Sequence, residues 1–193
     1  MPAVALLLAA GLVGCTTATL APQATPVLER IGDGVERYGG SDLWVVVEYQ
    51  FADMSLGEEW LMLDVAATAA EGRTATINRD RVFVRTPSGT RVPLASQREF
   101  SQAYRGLRSR LVRADIVSNP VLYFPPTRVL YGFRFFAAPG TDITFDEVVL
   151  NDRRACTERF FFNIPGGVQA GRWVLGIDLV ESDVRIPFEL GGR

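Results

Sequence analysis

Apolar and polar residues alternate along most of the chain from Leu43 onward. In the last such stretch, for example, Val184, Ile186 and Phe188 are separated by Arg185 and Pro187. A repeat of two residues is typical of β-strands that pack one face against a core. The pattern predicts strands over residues 43–51, 61–65, 82–84, 91–94, 129–135, 143–150, 158–164, 172–180 and 184–190. We therefore expect a mainly β protein.

Turn sequences separate these predicted strands and indicate which of them form hairpins. Pro and Gly favour turns because one fixes φ and the other tolerates positive φ. The predicted turns are Ser55-Leu56-Gly57, Pro87-Ser88-Gly89-Thr90, Pro139-Gly140 and Glu181-Ser182-Asp183. Each joins the strands on either side of it, so that 143–150 runs back along 129–135. Pro187 has no N–H to donate, which predicts that the last strand lies at a sheet edge.

One segment has helical periodicity instead. Ser96 and Glu99 have the spacing of a capping box, in which the two residues satisfy each other's backbone N–H groups at a helix start. Apolar residues then recur at helical spacing, and the predicted helix covers residues 97–114. Its other face carries five arginines: Arg98, Arg105, Arg108, Arg110 and Arg113.

Together these elements predict an antiparallel β-sandwich with one inserted amphipathic helix. Many short strands with regularly spaced turns are typical of sandwiches. The architecture resembles the immunoglobulin-like fold, although no family-specific motif accompanies it. A hydrophobic content of 48% is ample for one core, and we predict a single domain over residues 43–193.

The N-terminal end has a separate character. Residues from Ala3 to Val13 are nearly all Ala, Val and Leu, a run well short of the ~20 residues that span a bilayer. The run closes on Leu12-Val13-Gly14-Cys15, which resembles the lipobox of bacterial lipoprotein precursors. The resemblance implies that residues 1–14 are a signal peptide and that Cys15 carries a diacylglycerol after cleavage.

The same resemblance implies a location. The acylated Cys15, with chains such as palmitate, would hold the protein on a membrane of the bacterial cell envelope. Thr16 and Thr17 follow the cysteine, where an Asp favours inner-membrane retention in this family, so we expect the outer membrane, facing the periplasm. Residues 15–42 are rich in Thr, Ala, Pro and Gly, and we predict a flexible tether there.

Composition removes several classes of function. The chain has no His, which excludes the commonest general base and metal ligand, and we predict no metal and no cofactor. Its net charge of −2 argues against a nucleic-acid partner. If Cys15 carries lipid, Cys156 has no partner for a disulfide. We expect Cys156 to be buried, with an exposed reactive thiol as the alternative.

No motif identifies a reaction, and the arginine-rich helix is the most informative surface. Guanidinium groups bind carboxylates and phosphates in a bidentate manner. We therefore expect a non-catalytic binding or scaffolding module, with this helix and a sheet edge as its contact surfaces, whose partner is an envelope protein or an anionic lipid or glycan. The alternative for the arginines is that they form only the solvated outer face of an amphipathic helix. One alternative is a carbohydrate-active hydrolase that uses paired carboxylates from Asp142, Asp146, Glu147, Glu181 and Asp183. Another is a module that binds a small ligand or acts as an inhibitor.

Overall fold

The computed structural model describes residues 25–117, 119–124 and 129–192. The predicted signal peptide, Cys15 and the first part of the predicted tether lie outside the described residues. The strands are β1 (Val27–Gly32), β2 (Val35–Gly39), β3 (Leu43–Glu48), β4 (Trp60–Ala69), β5 (Thr74–Asn78), β6 (Val82–Arg85), β7 (Arg91–Pro93), β8 (Val129–Gly132), β9 (Glu147–Asn151), β10 (Arg154–Asn163), β11 (Gly171–Asp178) and β12 (Asp183–Leu190). The helices are α1 (Gln50–Asp53) and α2 (Gln97–Val117), with short 3₁₀ turns at Arg79–Arg81 and Pro120–Tyr123.

The strands form three sheets around one main core. The largest has the order β1-β2-β3-β4-β10-β8, the second has the order β12-β11-β6-β7, and β5 pairs with β9 alone. Buried side chains from all three sheets, among them Leu63, Ile77 and Trp173, belong to the same cluster. The predicted mainly β sandwich with one long helix is confirmed. Its six-stranded sheet is larger than either sheet of an immunoglobulin domain.

Strand β4 lies at the centre of the packing because both of its faces are covered. All ten of its residues are buried. Leu61 and Leu63 point into the main core, whereas Trp60 and Met62 belong to a second cluster with residues of α2. The helix is thus a third layer that covers the outer face of the six-stranded sheet.

Most of the predicted hairpins are present. Strands β3 and β4 pair antiparallel, as do β6 with β7 and β11 with β12. Gly89 adopts a φ of 86° in the turn between β6 and β7, a conformation that favours glycine. Strand β12 is an edge strand, as Pro187 predicted.

The predicted hairpin between residues 129–135 and 143–150 is wrong. Strand β8 ends at Gly132 and pairs in parallel with β10, whereas β9 pairs antiparallel with β5. Phe133 and Phe135 leave the strand and are buried in the main core, which draws the chain away from β8 before the turn at Gly140. Alternation identified the buried faces of β11 and β12, but it gave neither the neighbour of β8 nor its exposure, since all four residues of β8 are exposed.

Part of the predicted tether is also wrong. Within residues 15–42, strands β1 and β2 form an antiparallel hairpin, and β2 continues the sheet by pairing with β3. Gly34 has a φ of 75° at the turn, and Val35 and Tyr38 are buried. The glycines that suggested flexibility therefore include one that makes a tight turn, and the strands begin at Val27 rather than at Leu43.

Candidate functional site

The long helix α2 begins where the sequence predicts. The backbone N–H of Ser96 donates to Glu99 Oε2 at 2.8 Å, and the backbone N–H of Glu99 donates to Ser96 Oγ at 3.2 Å. The Glu99 carboxylate also accepts from the Ser96 hydroxyl at 2.7 Å, and the two hydrogen bonds that it accepts, first the one from the Ser96 backbone, hold the pKa of Glu99 below its usual value. The capping box is confirmed, and the helix runs to Val117, past the predicted end at residue 114.

The inner face of α2 packs on the six-stranded sheet. Phe100, Leu107 and Ala114 are buried at helical spacing. The Phe100 ring lies 4.6 Å from that of Phe161 on β10, centroid to centroid. This apolar contact fixes the rotation of the helix about its axis, so it also decides which residues face solvent.

Four of the five predicted arginines lie on the exposed face of α2. They are Arg98, Arg105, Arg108 and Arg113. None of them forms an ion pair among the described residues. The two acidic residues of the helix are engaged elsewhere, because Glu99 caps the helix and Asp115 binds Arg159. The outer face therefore presents a cluster of positive charge that has no acidic partner within residues 25–117, 119–124 and 129–192.

Arg110 is the exception, and its predicted place on this surface is wrong. It is buried, and its Nη2 donates to the backbone oxygen of Trp60 at 3.1 Å. Its Nη1 lies 3.6 Å from the carboxylate of Glu58. Burial lowers the pKa of the Arg110 guanidinium, and the charge of Glu58 opposes that shift. Arg110 anchors the helix to the start of β4, because a buried carbonyl needs a donor.

A second arginine ties α2 to the sheet from the other side. Arg159 of β10 donates through Nε and Nη2 to the two carboxylate oxygens of Asp64, at 2.9 and 3.2 Å. Its Nη1 donates to Asp115 of α2 at 2.8 Å. The bidentate pair is the stronger form of an arginine–carboxylate contact. Arg110 and Arg159 therefore hold α2 on the sheet at two separate points.

The exposed face of α2 also has an apolar end that the sequence analysis missed. Val112 and Ile116 are 58% and 82% exposed, one helical turn apart. Ile116 and Arg113 line a depression of about 370 Å³ together with Met54, which follows α1. The sequence does carry evidence of this apolar end, because the helical spacing of Val112 and Ile116 places them beside Arg105 and Arg113 rather than beside Leu107.

The carboxylates proposed for the hydrolase alternative mostly face arginines. Asp146 accepts from Arg79 Nε at 3.0 Å, and Asp183 lies 3.2 Å from Arg185 Nη2. Glu181 lies 3.7 Å from Arg73. Residues 25–117, 119–124 and 129–192 contain no group of three or more Cys, Asp or Glu side chains arranged to hold a metal ion.

Cys156 is buried in β10, as we expected. Burial raises the pKa of its thiol to about 11. A thiol with so high a pKa carries little thiolate near neutral pH, so its reactivity is low.

One buried charge, Arg79, and one half-buried charge, Glu158, were not anticipated. Arg79 donates to the backbone oxygens of Ala95 and Phe135 as well as to Asp146. Nearby, Glu158 accepts from the backbone N–H groups of Phe135 and Phe136, at 2.9 Å each. Burial raises the pKa of Glu158 to about 7, although these hydrogen bonds and the charge of Arg79 oppose the shift. The sequence pattern did not predict the hydrogen bonds of Arg79 or of Glu158, because their partners lie in distant segments of the chain.

The chain matches no known family model, and no curated protein or solved structure is significantly similar to it. Neither helix in the described part of the chain is long and apolar enough to cross a bilayer. The function must therefore be inferred from the residues described above.

The two classes of arginine on α2 should differ in their contribution to stability. Arg110→Met leaves the buried Trp60 carbonyl without its donor, so the free energy of unfolding should fall by about 1–3 kcal/mol. Arg105→Met removes the same charge from an exposed position and should change it by less than about 0.5 kcal/mol. Urea unfolding of the two variants provides the measurement, and equal losses would contradict the burial of Arg110.

Glu158 should make stability depend on pH near neutrality. Its pKa is about 7 in the fold against 4.5 for an unperturbed carboxyl, so the folded state binds the extra proton between these values. The free energy of unfolding should therefore decrease as pH rises from about 4.5 to about 7. Urea midpoints measured near pH 5 and near pH 8 should differ less in Glu158→Gln than in the wild type. The exposed control Glu189→Gln should keep the wild-type difference, and an unchanged difference in Glu158→Gln would refute the assignment.

Proposed function

We propose that this protein is a lipid-anchored component of a bacterial cell envelope that acts as a non-catalytic binding module. The exposed arginine cluster of α2, formed by Arg98, Arg105, Arg108 and Arg113, is its binding surface. The observation that supports the proposal is that these four guanidinium groups share one helix face without an acidic partner among the described residues. Such groups remain available for an external phosphate or carboxylate.

The favoured ligand is an anionic lipid surface. The arginine cluster continues into exposed Val112 and Ile116 on the same face. Basic residues next to exposed apolar residues are typical of helices that lie in a membrane interface. The apolar side chains enter the boundary of the acyl region, while the guanidinium groups contact lipid phosphates.

The lipobox resemblance of Leu12-Val13-Gly14-Cys15 supports the same arrangement. Residues 16–26 span at most roughly 40 Å when fully extended. An acylated Cys15 would thus keep the sandwich close to the bilayer, where the local concentration of headgroups is high. In this arrangement the lipid supplies the attachment, and α2 sets the orientation of the domain on the surface.

The proposed lipid anchor is tested at Cys15. Cys15→Ser removes the thiol that would be acylated, so the variant should lose incorporation of labelled fatty acid and move from the membrane fraction to the soluble fraction. Cys156→Ser is the matched control and should keep both properties, because that thiol is buried. Membrane fractionation of Cys15→Ser identical to the wild type would exclude the lipid anchor.

The binding surface is tested separately from the anchor. A polarity-sensitive fluorophore attached to Ser109→Cys, an exposed position amid the arginines, reports contact of α2 with a bilayer. In the full chain reconstituted in vesicles, the signal should shift with phosphatidylglycerol but not with phosphatidylcholine alone. The shift should weaken at high salt, because ionic screening reduces the attraction of exposed charges.

Replacing the four arginines by Gln should abolish the fluorophore shift. Each basic residue near an anionic surface contributes about 1 kcal/mol, so the bound fraction of the helix should fall more than about tenfold. The control variant changes Arg81, Arg85, Arg153 and Arg172 to Gln, which removes the same charge from exposed positions scattered over the fold. A shift that survives in the α2 variant, or disappears equally in the control, would overturn the proposal.

A further inference from the structure

Strand β8, at one edge of the six-stranded sheet, is unusually apolar for an exposed edge strand. All four residues of β8 are exposed, and Val129, Leu130 and Tyr131 are 58%, 53% and 44% exposed. Native edge strands normally carry charges or Pro that prevent pairing with another chain. Strand β8 contains neither, so its outer edge can accept a further strand.

The other edges of the two larger sheets are protected in the usual way. At the opposite end of the same sheet, β1 carries Glu29 and Arg30. In the four-stranded sheet, β7 contains Pro93 and β12 contains Pro187. Among the described edges of these two sheets, β8 is the one that carries neither a charge nor a Pro.

A groove of about 610 Å³, lined by both apolar and charged side chains, lies beside β8 and reaches β9. Leu130 and Tyr131 line it from β8, and Phe145 and Val149 line it from the β9 side; Phe145 and Val149 are 47% and 60% exposed. An exposed apolar surface of this kind, next to an unpaired strand edge, is typical of a site of strand addition.

The charges that line the groove have both signs. Glu147 lies on the β9 side, and Arg134 and Arg154 lie on the other. None of these three forms an ion pair within residues 25–117, 119–124 and 129–192. Arg134 also has a φ of 59°, which non-glycine residues rarely adopt. The Arg154 guanidinium lies over the Tyr131 ring, 4.7 Å from its centroid. A surface whose charges of both signs form no ion pairs of their own can complement a copy of itself.

We propose that β8 pairs with β8 of a second copy of this chain, antiparallel about a two-fold axis, so that the two six-stranded sheets become continuous. A two-fold interface uses the same patch on both subunits. The groove would accept a short, apolar, uncharged strand, and β8 is such a strand. The two-fold operation brings the acidic side chain of each copy toward the basic side chains of the other. With a net charge of only −2, long-range repulsion between copies is small.

Cysteine crosslinking at the centre of β8 tests the pairing in native membranes. Opposed residues of antiparallel strands have Cα atoms about 4.5–5.5 Å apart, within the range that a disulfide bridges. The variants carry Cys156→Ser, because Cys156 lies opposite Tyr131 in the pairing of β10 with β8 and could form a disulfide within one chain. Under mild oxidation, Leu130→Cys, Tyr131→Cys or a mixture of the two should give a disulfide-linked dimer on a non-reducing gel. Val180→Cys, which is 81% exposed on a loop, is the matched control and should remain monomeric.

A second measurement does not depend on the cysteine variants. The wild-type full chain in detergent should sediment as a dimer, and Tyr131→Lys should convert it to a monomer because it places two like charges at the paired edges. Crosslinking of the β8 variants no greater than that of Val180→Cys, a crosslink to a different protein, or a wild-type monomer at all concentrations would overturn the proposal. None of these outcomes depends on the lipid-binding role of α2.

Discussion

The rest of the fold depends on the burial of β4 on both of its faces. A strand so covered cannot belong to a simple two-layer sandwich with a solvated outer face, and α2 supplies the missing third layer. Burial extends to Asp64, whose charge requires a partner inside the protein. Arg159 provides it, and the same guanidinium binds Asp115 of α2. The guanidinium of Arg159 that neutralises the buried Asp64 therefore also holds α2, the layer that covers β4.

The orientation of the arginine cluster follows from this packing. Phe100 and Leu107 fix the inner face of α2, and Arg110 hydrogen-bonds to the start of β4. The helix cannot rotate without losing these buried contacts, so its remaining arginines stay in solvent. A rigidly placed basic face recognises a surface better than a mobile one, because less conformational entropy is lost on binding.

The two proposed surfaces are geometrically compatible. The helix covers a face of the six-stranded sheet, whereas β8 is one of its lateral edges. If the outer face of α2 rests on a bilayer, the sheet lies roughly parallel to the membrane and its edges point along the membrane plane. Two anchored copies would then meet through β8 without releasing α2. Confinement to a surface also raises the effective concentration of each copy for the other.

The sequence by itself determined the features that depend on neighbouring residues. The capping box at Ser96 and Glu99, the turn at Gly89 and the final hairpin with Pro187 at an edge were all predicted, because each rests on local geometry or on a two-residue repeat. Tertiary structure alone decided which strands became neighbours, since alternation reveals a buried face but not a partner. The parallel pairing of β8 with β10 and the pairing of β5 with β9 are of this kind.

The arginines of α2 also divide into those whose position the sequence predicted and one, Arg110, whose position only the tertiary structure decided. Helical periodicity placed Arg98 and Arg105 on the outer face correctly, because apolar residues define the opposite side. It could not separate Arg110 from them, since Arg110 lies at the boundary of the apolar face. Its burial depends on the Trp60 carbonyl and on Glu58, which the fold brings to that boundary from 50 residues away or more. Only a long-range contact could decide which arginine supports the fold and which remain in solvent.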